Sequence, residues 1–246
     1  GDRQSRSGLE NPNRLSRLVL LAENNAGYQS LINLTSIGYT EGFYYKPRID
    51  YEVLARHAEG VIALSGSLSG DIPRLILSNK IAEAEERAKW YKELYGPDRF
   101  YLELCDHGIP EQKVLNKELA QLSEKLGIPM VAANDTHYLR QDDANAQDIL
   151  LCIGSNKKKN DAGRFRFSTD QFYIKSEQEM RSLFEEYPGA IENSRRIAEM
   201  CDLEIELPGP KFPNYEIPER FESRDDYLRH LTWEGLADRY EELSEE

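Results

Sequence analysis

An α/β fold, with strands and helices alternating along the chain, is what this sequence predicts, and three observations predict it. Four apolar runs of strand length recur at residues 18–22, 61–64, 100–104 and 131–133. Each is followed by a segment of helical periodicity, bounded by glycine, proline or a capping residue. Polar residues gather just after the runs, at Glu23/Asn24, Ser65/Ser67, Asp106/His107 and Asp135/His137. Strand–helix units in succession imply parallel strands joined by crossover helices, in a sheet or a barrel. In such folds ligands collect at the carboxyl ends of the strands, so these polar residues are the candidates for function.

The first 13 residues are polar and read as a flexible start. The run at 18–22 is short enough for a buried strand. Tyr28, Leu31, Ile32, Leu34 and Thr35 then repeat at helical spacing and close near Gly38. Residues 43–48 form an extended aromatic and basic loop, and Asp50 caps a short helix over 51–57. The second run, 61–64, leads into Ser65-Gly66-Ser67-Leu68-Ser69-Gly70, whose small residues permit a tight turn. Helices are predicted at 72–77 and 81–95, with Gly96 and Pro97 ending the latter. The third run ends in Cys105-Asp106-His107-Gly108. Pro110 opens a helix that Gly127 stops, and the fourth run follows.

Asp135 and His137 stand two apart after that run. In an extended chain they point to one side, where a carboxylate and an imidazole can meet a metal ion. The plain alternative is an acid and a histidine that finish a strand and enter a helix.

Beyond this point the pattern changes. Residues 142–154 read as an amphipathic helix, and 155–167 as a basic loop. That loop is either a phosphate contact or a solvated surface loop, and a single lysine run favours the solvated reading. Tyr173-Ile174 is a short strand. Ser176 and Glu179 form a capping box ahead of Met180, Leu183 and Phe184. A helix over 190–200 is expected to turn Ile191, Ile197 and Ala198 inward. Residues 203–222 carry Pro208, Pro210, Pro213 and Pro218 and read as a linker. Ser223 and Asp226 cap a last helix, with Tyr227, Leu228, Leu231, Leu236, Tyr240 and Leu243 mostly on one face.

Composition excludes several classes. The net charge of −13 leaves no broad electropositive surface for phosphates. No apolar run approaches the roughly 20 residues of a membrane span, and the polar start lacks the apolar core of a signal peptide. Cys105, Cys152 and Cys201 lie far apart, which points to reduced thiols and a cytoplasmic location.

Six stretches together carry a family likeness: 18–24 with Gly27 and Tyr28, then 42–50, 60–70, 100–108, 133–138 and 173–179. In that order they resemble the amino-terminal region of the bacterial DNA polymerase III alpha subunits, replicative C-family polymerases, from about Arg14 onward. The resemblance implies a polymerase-and-histidinol-phosphatase (PHP) domain over 14–202, a distorted β/α barrel. It is incomplete here, since the family's opening His-x-His strand has no match. A linker over 203–222 and the first helix of the polymerase module over 223–246 would follow.

In family members with an intact site, histidines, acids and sometimes a cysteine hold a metal cluster that hydrolyses phosphodiesters, in some as a 3′–5′ exonuclease. Carried over residue by residue, Asp135 and His137 match the closing Asp-x-His metal pair. Arg17 stands where the family has histidine, and Ser67 where it has cysteine. An arginine stays protonated and cannot coordinate a cation, and a hydroxyl is a poor ligand beside a thiolate. A degenerate site is therefore expected, with zinc or manganese held weakly and Arg17 paired to Asp135. Glu103 would support the site from behind, with Asp106 and His107 beside it and His107 steadying a turn.

The resemblance further implies a parent that extends a primer on a DNA template from deoxynucleoside triphosphates, using magnesium. Its carboxylates lie outside this chain, and its partners are a sliding clamp, an exonuclease subunit and a clamp loader, with no membrane. Two other readings stay open. One is a stand-alone PHP-type phosphoesterase, and the other is a structural module that docks a partner.

Overall fold

A computed structural model describes residues 2–5, 15–207, 209, 213 and 215–240. Strands β1 (Val19–Ala22), β2 (Val61–Leu64), β3 (Phe100–Leu104) and β4 (Met130–Ala132) form an open sheet in that order. Helices α1 (Asn25–Thr40) and α2 (Tyr51–Arg56) join β1 to β2, and α3 (Asp71–Leu77) and α4 (Ile81–Tyr95) join β2 to β3. Helix α5 (Pro110–Leu126) joins β3 to β4. Then come α6 (Ala144–Ser155), α7 (Glu177–Leu183), α8 (Ala190–Met200) and α9 (Arg224–Arg239).

Local chemistry sets the helix ends. Pro110 sits in the first turn of α5, where its missing N–H costs nothing, and Gly127 ends the helix at φ 59°. Ser176 and Glu179 close their box reciprocally, with bonds of 2.8 Å and 3.3 Å. At α1, Asn24 accepts the Gly27 N–H at 3.1 Å. A Cβ on Gly27 would lie 1.8 Å from the Gly60 carbonyl oxygen, so only glycine lets the helix start approach β2 this closely. The buried face of α1 is accordingly Gly27, Ser30, Leu34 and Gly38, while Tyr28 and Ile32 stay largely exposed.

The core sits on both faces of β2 and β3, every residue of which is buried. Val61, Ala63, Phe100, Leu102 and Leu104 face a large cluster with α3, α4 and α5. Ile62, Leu64, Tyr101 and Val131 face a smaller one closed by Ile197 of α8. This two-sided burial explains why those strands read as continuous apolar runs. Ala198, expected to point inward with Ile197, is exposed, and Ile191 is half-buried.

Strand β1 departs from expectation twice. It pairs antiparallel to β2, with Val19 opposite Leu64 and Ala22 opposite Val61, whereas β2–β3 and β3–β4 are parallel. It also lies at the sheet edge and is only partly buried, because one neighbouring strand covers it. An apolar run carries no mark of its direction.

The chain divides into two compact units, Gly1–Glu204 and Ile205–Glu246. In the second, Ser223 accepts the Asp226 N–H at 3.1 Å and starts α9. The Tyr227 ring stands 4.8 Å from Phe221 and 6.0 Å from Tyr215. No residue of α9 is buried, so the apolar face read from Leu228 and Leu231 is open, and Leu243 falls outside the described residues.

In the polar start, Arg3 donates to Asp50 at 3.0 Å and to Glu41 at 2.8 Å. Residues 6–14 fall outside the described residues. Asp50 does double duty, since its other oxygen accepts the Val53 N–H at 3.0 Å and caps α2. Burial works against its charge, but the N–H groups of Val53 and Arg3 and the Arg3 guanidinium outweigh burial and hold the carboxyl below its ordinary value. Asparagine at this position keeps the cap and loses the ion pair. Thermal melts are expected to show Asp50→Asn within about 1 kcal/mol of the parent, and Asp50→Ala destabilised by about 1–2 kcal/mol.

Candidate functional site at the carboxyl edge of the sheet

Strands β2, β3 and β4 run the same way and end side by side. Their continuations, Ser65-Gly66-Ser67, Cys105-Asp106-His107 and Asn134-Asp135, therefore meet at one edge. The reversed β1 changes the expected membership of that edge. Its end lies at the far side, where the Glu23 N–H donates to Gly60 at 2.8 Å, so Glu23 and Asn24 are not part of the site. Its beginning is here instead, and the Arg17 N–H donates to the Ser69 carbonyl at 2.9 Å.

Asp135 and His137 do share a side, as the alternation predicts. His137 Nε2 stands 3.2 Å from Asp135 Oδ1, and both side chains reach solvent, at 36% and 62% exposure. The His137 backbone donates to Phe172 at 2.8 Å, and its ring rests against Phe167 at 4.6 Å. Arg17 does not pair with Asp135. It is exposed, and among the described residues it forms no ion pair.

His107 is the buried centre of the edge, at 1% exposure, rather than a turn support at its margin. Gln112 Oε1 accepts the His107 backbone N–H at 2.8 Å, which turns the Gln112 amide nitrogen toward Nδ1 at 3.0 Å. The Asp135 backbone N–H donates to Nε2 at 3.1 Å. The ring lies flat on Phe172, 4.5 Å between centroids and 6° between planes. Since Nε2 accepts the Asp135 N–H, the neutral ring carries its proton on Nδ1, and a second proton on Nε2 would displace the Asp135 bond. Burial first, and then the Lys175 cation, push the pKa of His107 below its ordinary value.

Glu103 lies beneath, also buried. Its backbone donates to Ser65 Oγ at 2.9 Å, its Oε1 accepts the Cys105 thiol at 3.5 Å, and its Oε2 meets no hydrogen-bond partner among the described residues. Burial raises the carboxyl's pKa and the Asp135 charge adds to the rise. The Cys105 thiol is pushed well up by burial and by Glu103, so it is a neutral hydrogen-bond donor and not a nucleophile. Ser67 reaches this group through Gln112, whose amide is 3.5 Å from Ser67 Oγ. Asp106 does not join them. Its Oδ1 accepts the Gly108 N–H at 2.8 Å and closes the turn, where Gly108 takes φ 72°.

Two participants were not singled out from the sequence. Cys105 stands two residues after Glu103 in a strand, so the same alternation that paired Asp135 with His137 places them on one side. Lys175 is buried, donates to the Gln171 carbonyl and to Asn134 Oδ1, and lies over the Tyr173 ring at 4.5 Å. No local pattern marks it, because its partners come from chain 4 and 41 residues away.

The residues present do not fit a metal cluster. Among the described residues no three of His, Cys, Asp and Glu stand close enough to hold an ion. Of the residues at this edge, Asp135 and His137 are the pair that converges at the surface. His107 Nε2 already accepts the Asp135 N–H and its Nδ1 faces the Gln112 amide, and the Glu103–Cys105 pair is occupied with itself.

Comparison with known proteins places this geometry. The PHP domain profile matches residues 5–107, a span that includes Arg17, Ser67, Glu103 and His107 and stops before Asp135. A PHP domain is thus present. The chain is 50% identical over 228 residues to the DNA polymerase III subunit alpha of Borreliella burgdorferi, covering 92% of this chain and 20% of that protein. It is 48% identical over 233 residues to that of Treponema pallidum, covering 95% and 20%, and 43% identical over 247 residues to that of Thermus aquaticus, covering 97% and 20%. The chain spans about a fifth of the length of these curated relatives.

The buried Glu103 has a testable signature. A raised folded pKa means the folded state binds the proton more tightly, so Glu103 lowers stability as pH rises through its unfolded value, 4.5, and on through the folded one. Thermal melts across pH 4–8 are expected to show Glu103→Gln gaining on the parent toward the neutral end, with no gain at the acid end.

Proposed function

We propose that this chain is the PHP-domain portion of a bacterial DNA polymerase III alpha subunit, a DNA-directed DNA polymerase of chromosome replication, and that it serves there chiefly as a folded platform. The observation that supports the assignment is the 48–50% identity to alpha subunits over more than nine-tenths of this chain. The platform role is supported by the site itself. Its central imidazole is held by the Asp135 N–H and the Gln112 amide, and its buried acid is paired to a thiol. As part of such a polymerase the chain would act with template-primer DNA, deoxynucleoside triphosphates and magnesium bound elsewhere. A sliding clamp, a clamp loader and an exonuclease subunit would be its companions in the cytoplasm. No described helix is long and apolar enough to cross a membrane.

One observation favours a second reading, a residual metal-dependent 3′–5′ exonuclease. Asp135 and His137 offer a carboxylate and an imidazole at one exposed point. Two donors hold zinc or manganese weakly, and no catalytic step follows from them alone.

Elemental analysis of the purified chain is expected to return substoichiometric zinc or manganese, falling to background in Asp135→Asn. In a companion assay, a 3′-mismatched primer is incubated with added Mn²⁺ or Zn²⁺. Loss of nucleotides no faster than with Asp135→Asn supports the platform, whereas a metal-dependent loss seen only with the parent supports the nuclease. Primer extension by the full-length polypeptide that carries this segment tests the polymerase assignment separately.

A further inference from the structure

The basic loop read from the sequence as a solvated surface is folded back onto α6, and the two enclose a cleft of about 470 Å³. One wall is the first half of α6, with Asn145 and Asp148, and the other carries Lys159, Arg164 and Arg166. Arg164 builds the cleft. Its guanidinium grips both Asp148 oxygens, at 2.6 Å and 2.7 Å, and its Nε donates to the Lys159 carbonyl at 3.0 Å. Only 3% of that side chain is exposed, so this arginine is committed to the protein.

The other two cations are not committed. Lys159 gives one donor to Asn145 Oδ1 at 2.6 Å and keeps the rest of its ammonium for the cleft. Arg166 is exposed, lines the cleft and forms no ion pair among the described residues. The lining therefore sets three cations against two carboxylates, Asp148 and Asp170, in a chain whose net charge is −13. The remaining acid of the lining, Asp170, already accepts amide N–H groups from Gln141 and Gln171, at 2.9 Å and 2.8 Å. Its far end is aromatic and hydroxylic, with Tyr138, Phe167 and Ser168. Phe167 is the ring that rests against His137, so the cleft opens beside the Asp135–His137 pair.

A surplus of cation beside an aromatic ring, in a cleft within the size range of small-ligand sites, fits a phosphate carried by a planar base. We propose that the cleft between α6 and the 159–170 segment binds a deoxynucleoside phosphate, with Lys159 and Arg166 on the phosphate and Phe167 beside the base. The choice of a deoxynucleotide rests on the polymerase assignment, while the phosphate preference rests on the cleft alone. A free nucleotide and the end of a single DNA strand present the same chemistry, and the experiment separates them.

Fluorescence anisotropy of a 5′-labelled oligothymidylate is titrated with the full 246-residue chain at low salt, with thymidine triphosphate, unlabelled oligothymidylate and inorganic phosphate as competitors. Arg166→Glu and Lys159→Ala are each expected to weaken binding by about tenfold, the loss of one charge-assisted contact. Their melting temperatures should stay at the parent's, since neither side chain is buried. Arg166→Lys is expected to restore part of the loss. Competition by the triphosphate and the oligonucleotide alike assigns the site to a nucleotide; competition by the oligonucleotide alone assigns it to a strand. Equal affinity of the parent and Arg166→Glu overturns the proposal, as does displacement by inorganic phosphate as effective as that by either competitor. Failure here with primer extension intact in the full-length polypeptide would leave the polymerase assignment standing.

Discussion

The carboxyl edge of the sheet depends on one buried imidazole. His107 leaves β3, yet its Nε2 receives the backbone N–H of Asp135 beyond β4, and its ring lies on Phe172 from a third segment. Its own carbonyl accepts the Thr169 hydroxyl at 2.6 Å. Three stretches of chain thus meet on this one residue. Each bond is worth little in net terms, but a buried group left without its partner costs about 1–3 kcal/mol. The arrangement works only while Nε2 is unprotonated, because that nitrogen accepts the Asp135 N–H.

That constraint explains the division of labour at the edge. Below the surface His107 pairs with Gln112 and Glu103 with Cys105, as a low-dielectric interior favours. The groups above it, Asp135 and His137, reach solvent. An edge built this way holds its shape without an ion, which suits a platform. The same construction leaves Asp135 and His137 placed by their backbones, since the Asp135 N–H is tied to His107 and the His137 N–H to Phe172. The cleft beside them inherits that rigidity through Phe167.

Much of this was legible in the sequence. Pro110 and Gly127 bracket α5, Ser176 and Glu179 announce α7, and a two-residue spacing puts Asp135 against His137. In each case the information lies within a few residues, where propensity and alternation act. What escaped notice depends on distant chain. The direction of β1 is set by its partner, and the apolar run 18–22 reads the same either way. The face of α6 looked amphipathic, yet Leu150 and Ile153 are exposed at 60% and 71%, so periodicity described the helix without saying what covers it. The burial of Lys175 needs Gln171, Asn134 and Tyr173 together. The loop at 155–167 resembled a solvated lysine run because Arg164 finds its acid, Asp148, only when the loop folds back.

The central claim is that His107 is a neutral structural hub, and its ring titration measures this directly. Long-range nitrogen–proton NMR of the labelled chain, with His107 assigned by a His107→Gln variant, follows both ring nitrogens as pH is lowered. The result expected is a midpoint below the ordinary 6.5, with the fold weakening as pH falls toward it, because the unfolded chain then binds the extra proton. A midpoint at or above that value in the folded protein would contradict the account.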